Sequence, residues 1–311
     1  MEMRPLGKTG LKVSSLSFGA SSLGSVFRDI DEADALKAVH LSIDLGINLI
    51  DVSPYYGLTK AETVLGKALK SVPRESYLLA TKVGRYGATA KEFNFSEKRI
   101  TQSIEESLQR MGVDHVDFLQ AHDIEFGDLN QVINETVPAL RKLQKAGKTR
   151  FVGVTGLPMK SLRTVVEAVP VDTILSYCHY ELNDTALMDL LPTLKSHGVG
   201  VMNASPLGMG LLSNRGTPSW HPAPAKLKEA AMRAAAHCKV KGASIEKLAV
   251  QYATENPEIT TTLVGSASSE NMRRNISWAA EPLDRVLLGE ILEILKPVHN
   301  LTWESGQPEN N

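Results

Sequence analysis

Short apolar runs alternate along the chain with longer stretches whose apolar positions recur at helical spacing. The runs at 16–19, 49–51, 78–82, 116–120, 151–155, 173–177, 200–203 and 262–265 have the length and aliphatic content of buried strands. Between them, residues 33–45 place Ala35, Leu36, Val39, Ile43 and Leu45 on one helical face, and Gly46 is a stop. Ser96 predicts the cap of a helix reaching Met111, with Gly112 ending it. Asp128-Leu-Asn-Gln131 resembles a capping box with Asp in place of the usual Ser or Thr. The helix it opens is expected to bury Val132, Ile133, Val137, Leu140 and Leu143 and to stop at Gly147. Asp184 is expected to cap a further helix ending near His197 and Gly198.

Eight strands, each followed by a helix, predict a parallel (β/α)8 TIM barrel, an α/β fold, over one domain spanning 1–311. No G-x-G-x-x-G follows the first strand, which argues against an open dinucleotide-binding sheet. The opening segment has its own pattern. Gly7-Lys-Thr-Gly10 separates two short runs, 3–6 and 11–13, and predicts an N-terminal β-hairpin closing the bottom of the barrel. The longest interruption, 208–224, is rich in Gly, Pro and Ser and carries Trp220-His221 near its end. A loop of that length on a barrel's active face suits a functional role.

Composition narrows the class. The chain has 311 residues, 42% hydrophobic and 22% charged, with 34 basic and 35 acidic side chains and a formal net charge of −1. That balance, without a basic patch, argues against nucleic-acid binding. No membrane-spanning stretch or secretory leader is visible, so a cytoplasmic protein is expected. Cys178 and Cys238 belong to no CxxC pair, so both are expected as reduced, buried thiols. No cluster supports a metal site.

The chemistry lies at the ends of the runs. Asp51 and Tyr56 follow the second, Lys82 ends the third and His122 follows the fourth. The carboxyl ends of barrel strands are where such a fold carries its active site. A free phenol titrates near pH ~10, too high for easy proton exchange at neutrality. A neighbouring lysine ammonium favours the phenolate, and a carboxylate holds that lysine charged. Lys82 is therefore expected to lower the pKa of Tyr56, and His122 to hold a reacting oxygen by a hydrogen bond. The set fits a reaction in which a hydride moves on carbon while a proton moves on oxygen.

Asp51-x4-Tyr56-Gly57, Thr81-Lys82 and Gln120-Ala-His122-Asp123 resemble, in order and spacing, the tetrad of the aldo-keto reductases. The resemblance extends to Arg4-Pro-Leu-Gly-Lys-Thr-Gly10, Gly153-Val-Thr155, Ser205-Pro-Leu-Gly-x-Gly210 and Val264-Gly-Ser266. It implies the (β/α)8 barrel and a nicotinamide cofactor at its carboxyl face. The residues it points to for the cofactor are Thr155, Ser176, Tyr177, Ser205, Pro206, Leu207, Gly208, Gly210, Gly265, Ser266, Glu270, Asn271, Arg274 and Asn275. Three positions depart from the family. Thr155-Gly156 replaces a Ser-Asn pair, Ser176 or Tyr177 stands where Gln is usual, and Ala204 replaces an aromatic residue.

Within the family, Ile50-Asp-Val-Ser-Pro-Tyr-Tyr-Gly57, Leu175-Ser-Tyr-Cys-His-Tyr180 and Met202-Asn-Ala-Ser-Pro-Leu207 resemble plant sugar dehydrogenases. These oxidise L-galactose at C1 to L-galactono-1,4-lactone with NAD, on the route to ascorbate. The likeness implies a small-molecule aldose as partner and Tyr56 as general base. Other aldose 1-dehydrogenases, of L-fucose or D-arabinose type, an NAD(P)H-dependent carbonyl reductase, and a non-catalytic cofactor-binding subunit are the alternatives. Binding an NADP 2′-phosphate normally recruits Lys or Arg. Gly265-Ser-Ala-Ser-Ser-Glu-Asn271 offers hydroxyls, an amide and Glu270 instead, so NAD is expected, with Arg273 and Arg274 as the opposing feature. Asp123, Tyr86 with Arg85, His179 with Cys178, and Trp220 with His221 are candidates for the sugar side of the pocket. For Asp123 and His179 a loop cap or ordinary packing is the competing role. A monomer or weak homodimer is expected.

Overall fold

The computed structural model describes residues 1–26 and 28–311. Two short antiparallel strands, β1 (Met3–Pro5) and β2 (Lys12–Ser14), form the expected hairpin. Eight parallel strands then close into a barrel. They are β3 (Leu16–Gly19), β4 (Leu49–Asp51), β5 (Leu78–Val83), β6 (Val116–Ala121), β7 (Thr149–Gly156), β8 (Thr173–Tyr177), β9 (Gly200–Ala204) and β10 (Thr261–Val264), and β10 pairs back onto β3.

The surrounding helices are α1 (Glu32–Asp44), α2 (Lys60–Leu69), α3 (Glu97–Met111), α4 (Leu129–Gln131), α5 (Val137–Lys145), α6 (Met159–Ala168), α7 (Leu187–His197), α8 (Ala225–Val240), α9 (Ile245–Glu255), α10 (Ser269–Ala280) and α11 (Arg285–Leu295). Among the described residues, no helix is long and apolar enough to cross a membrane.

The period-two geometry of strands sorts each run into an inner and an outer set. Leu49, Ala80, Phe118, Leu175, Met202 and Leu263 pack together inside the barrel with Leu6 and Val13 of the hairpin. Their neighbours Ile50, Leu79, Leu119, Ile174, Val201 and Val264 face outward to the helices. Two residues further along the inner rows stand Asp51, Lys82 and Gln120. The apolar floor and the polar layer above it are thus set by the same alternation.

Several caps follow the sequence. Ser96 accepts from the Arg99 amide and Gly112 ends α3 in the left-handed conformation. Two expectations change. Asp128 accepts from the Asn130 amide, but the Gln131 amide group bonds Glu135 at 2.9 Å and does not return to close a capping box. A π turn, Val132–Thr136, follows and leads into α5. Pro138 near the start of α5 has no N–H to give the preceding turn, which accounts for the irregularity. Asp184 does accept from the Ala186 amide at 2.9 Å, yet α7 begins only at Leu187. Asp184 is tied back to Glu181 by a pair of backbone hydrogen bonds, and this delays the helix.

Candidate active site

Asp51, Lys82 and His122 are brought together at the carboxyl end of β4 to β6, with Tyr56 on the loop beyond β4. Lys82 Nζ donates to Asp51 Oδ1 and, at 3.0 Å, to the Val52 carbonyl. Gln120 donates to the second Asp51 oxygen at 3.1 Å. The Lys82 ammonium lies 4.9 Å from the centre of the Tyr56 ring. The Tyr56 and His122 rings meet edge to face with centres 5.7 Å apart.

Backbone geometry holds Tyr56 in place. Gly57, Leu58 and Thr59 all have positive φ, at 61°, 50° and 78°, a tight turn that L residues rarely adopt. Gly57 packs so closely on Gly24 that an added Cβ would lie 2.0 Å from the Gly24 oxygen. The loop after β3 therefore braces the tyrosine loop after β4.

Electrostatics revise one expectation. Burial pushes the Tyr56 phenol up to about 12, and the Lys82 ammonium only partly offsets this. The expected lowering below the ordinary value does not occur in the protein alone. Burial also opposes charge on Lys82, but the Asp51 carboxylate and Tyr56 outweigh it and raise its pKa. Burial lowers His122 to about 3, with Lys82 and Arg85 adding to the effect and Asp123 opposing it. Burial thus favours the neutral imidazole of His122.

Asp123 stands beside this group with its backbone in the left-handed region, φ 49°. Its carboxylate receives the Arg85 guanidinium, and its amide donates to Thr155 Oγ1 at 3.0 Å. Arg85 lies 3.7 Å from the centre of the Tyr55 ring. The next turn carries Glu125, fully buried, whose Oε1 accepts from the Leu157 amide at 3.2 Å, from Tyr177 at 3.3 Å and from Ser305 at 3.0 Å. Burial and then Asp123 push the Glu125 carboxyl up to about 8. The C-terminal tail is strapped over this turn: Asn310 donates to the carbonyls of Glu125 and Gly127, and Gln307 to that of Phe126.

A cleft of about 1010 Å³ runs from Asp51 and Tyr56 to the far end of α10. Ser205, Pro206, Leu207, Gly210, Gly265, Ser266, Asn271, Arg274 and Asn275 line it, as does Trp220. The remaining candidates lie elsewhere. Thr155 is engaged by Asp123, Ser176 is fully buried, and Tyr177 is turned to Glu125. Gly208 is buried, its carbonyl 2.7 Å from His221 Nε2. Glu270 is exposed on the first turn of α10, beside Asn271. His179 is buried 3.2 Å from Asp184.

Tyr86 turns away because Gly84, at φ 100°, breaks the strand alternation. Its hydroxyl accepts from the Gly84 amide and its ring lies under Arg99 of α3. Ser53, Glu125 and the tail join the site without having stood out in the sequence. Only the run Val52-Ser-Pro-Tyr55, polar directly after a strand, carries a local signal for Ser53.

The aldo/keto reductase family profile matches residues 15–296. The chain is 53% identical over 319 residues to the L-galactose dehydrogenase of Arabidopsis thaliana, covering 100% of this chain and 99% of that protein. It is 32% identical to the D-arabinose 1-dehydrogenase of Saccharomyces cerevisiae, covering 95% of each. An aldo-keto reductase from Bacillus halodurans in its holo form superposes with a TM-score of 0.78 at 26% identity, covering 98% of each chain. With its closed barrel, its strand-end site and these likenesses, the chain belongs to the aldo/keto reductase family.

Proposed function

We propose that this oxidoreductase is an NAD-dependent aldose 1-dehydrogenase that oxidises L-galactose at C1 to its lactone. The observation that carries the chemistry is the gathering of Lys82 and His122 around Asp51 and Tyr56, which line one end of the long cleft. The sugar is taken from the full-length likeness to the L-galactose dehydrogenase of Arabidopsis thaliana; a place on the route to ascorbate is proposed from the motif resemblance alone.

Aldo-keto reductases work with nicotinamide cofactors, and the cleft suits one. Arg28 and Arg215 line it without a carboxylate partner among the described residues, which fits a diphosphate. Ser266, Asn271 and Asn275 stand at the α10 end. The Arg274 guanidinium is already engaged by Asn271 Oδ1 and lies 5.7 Å from the Trp278 ring centre, which supports NAD over the 2′-phosphorylated form.

When bound, the nicotinamide supplies the hydride acceptor. Tyr56 takes the proton of the C1 hydroxyl as general base. Lys82, held charged by Asp51, stabilises the phenolate that precedes that step. Neutral His122 donates a hydrogen bond to the C1 oxygen, where negative charge develops. Asp123, paired with the half-buried Arg85, stands beside the His122 ring. A panel of aldoses with NAD and NADP, followed by the absorbance of the reduced cofactor, tests the reading. The highest kcat/KM is expected for L-galactose with NAD. No cofactor reduction with any aldose would sink it, and a preference for NADP would overturn the cofactor assignment.

A further inference from the structure

His122 has two ring nitrogens, and in the neutral imidazole only one carries a hydrogen. A donor to the C1 oxygen is needed, so which nitrogen carries it decides whether His122 helps or hinders. His122 Nδ1 lies 3.0 Å from Ser53 Oγ. His122 Nε2 lies 3.6 Å from Asp123 Oδ2, too far for a hydrogen bond but close enough to feel the charge.

Ser53 is fully buried, directly past the end of β4. Its oxygen accepts the Tyr55 amide at 3.1 Å. Its own hydrogen needs an acceptor, because a buried hydroxyl left without one is destabilising. Among the described residues, the one acceptor within reach is His122 Nδ1. That requires Nδ1 to be bare and Nε2 to hold the hydrogen. Asp123 favours the same arrangement from the other side. A bare Nε2 would turn its lone pair toward a carboxylate, whereas an Nε2–H presents a positive hydrogen to it. Asp123 is fixed for this by Arg85 and Thr155.

We propose that Ser53 is a positioning residue that, with Asp123, locks His122 as the Nε2–H tautomer. His122 is then a one-way donor and Tyr56 remains the single base. This rests on the reading of His122 as the group that meets the C1 oxygen.

Ser53→Ala removes the hydrogen that occupies Nδ1 and leaves Asp123 as the only bias. We expect kcat to fall about tenfold, with KM for NAD unchanged, since losing a whole oxyanion donor costs about 10²–10³. Ser53→Thr keeps the hydroxyl and restores turnover. Two-bond 1H–15N spectra of histidine-labelled protein, with His122 assigned by difference against His122→Gln, read the tautomer directly. Wild type is expected to hold the hydrogen on Nε2 from pH 6 to pH 9, and Ser53→Ala to give a mixture. A hydrogen on Nδ1 in wild type overturns the proposal, and so does Ser53→Ala with unaltered kcat and spectrum. The spectra need no sugar, so the tautomer is decided even if L-galactose proves not to be the substrate.

Discussion

Glu125 makes the stability of this enzyme depend on pH in a direction opposite to most carboxylates. Its carboxyl is pushed up from 4.5 to about 8 by burial and by Asp123. The folded protein therefore binds a proton that the unfolded chain has already released, and stability falls as pH rises between those two values. Each pH unit crossed between them costs about 1.4 kcal/mol, so about 5 kcal/mol is lost across the whole window and about 2.5 kcal/mol of it between pH 6 and pH 9. For a chain of this size that corresponds to about 4 °C in melting temperature.

Glu125→Gln removes the titration while keeping an acceptor for Leu157, Tyr177 and Ser305. Melting curves of both proteins at intervals from pH 6 to pH 9 provide the assay. The difference between variant and wild type should move in favour of the variant by about 4 °C as pH rises, whatever the constant offset from the amide. Parallel curves would refute the reasoning, because they would mean that Glu125 is either ionised throughout or exposed in solution.

Three further expectations follow from the site. With Tyr56 at about 12 and His122 at about 3, kcat/KM for sugar oxidation should rise continuously from pH 6 to pH 9 with one ascending limb; a plateau with a midpoint near 6.5 would mean that His122 ionises. Tyr56→Phe should keep NAD binding by fluorescence titration and lose at least about 10²-fold in kcat, and near-normal turnover would remove it as the base. Deleting residues 305–311 removes the tail's hydrogen bonds to Glu125, Phe126 and Gly127, so KM for the sugar should rise several-fold with KM for NAD unchanged; an unchanged sugar KM would show that the strap does not shape the pocket.

The barrel is legible in the sequence because its signals are local. Each strand is a short apolar run, its alternation separates floor from outer packing, and Asp51, Lys82 and His122 fall at run ends in the required phase. Ser96 and Gly112 cap α3 through neighbours a few residues away, so they too can be read directly. What the sequence hides depends on long-range partners or on single backbone angles. Tyr86 has the parity of an inward residue counted from Lys82, but Gly84 at φ 100° resets the count and turns it to α3. Thr155 ends a strand where a cofactor contact is expected, yet Asp123, 32 residues earlier, occupies its hydroxyl. Glu125 meets Ser305 across 180 residues, and no periodicity announces that contact.

The Tyr56 reversal also separates the duties of its neighbours. Reasoning from one ammonium beside one phenol leaves out both the burial that opposes the phenolate and the second charge that Lys82 brings with it. Asp51 by itself raises the Tyr56 pKa, as does Asp123. Yet burial disfavours a charged Lys82, and it is Asp51 with Tyr56 that holds the ammonium protonated. Without Asp51 the phenol would lose a nearby negative charge but risk losing the nearby positive one. Asp51 and Lys82 thus act on Tyr56 as a dipole, its ammonium end toward the ring and its carboxylate end anchored by Gln120 at 3.1 Å. The Lys82 charge acts on the phenol more strongly than the Asp51 charge, so the pair brings Tyr56 down from the value that burial alone would give it.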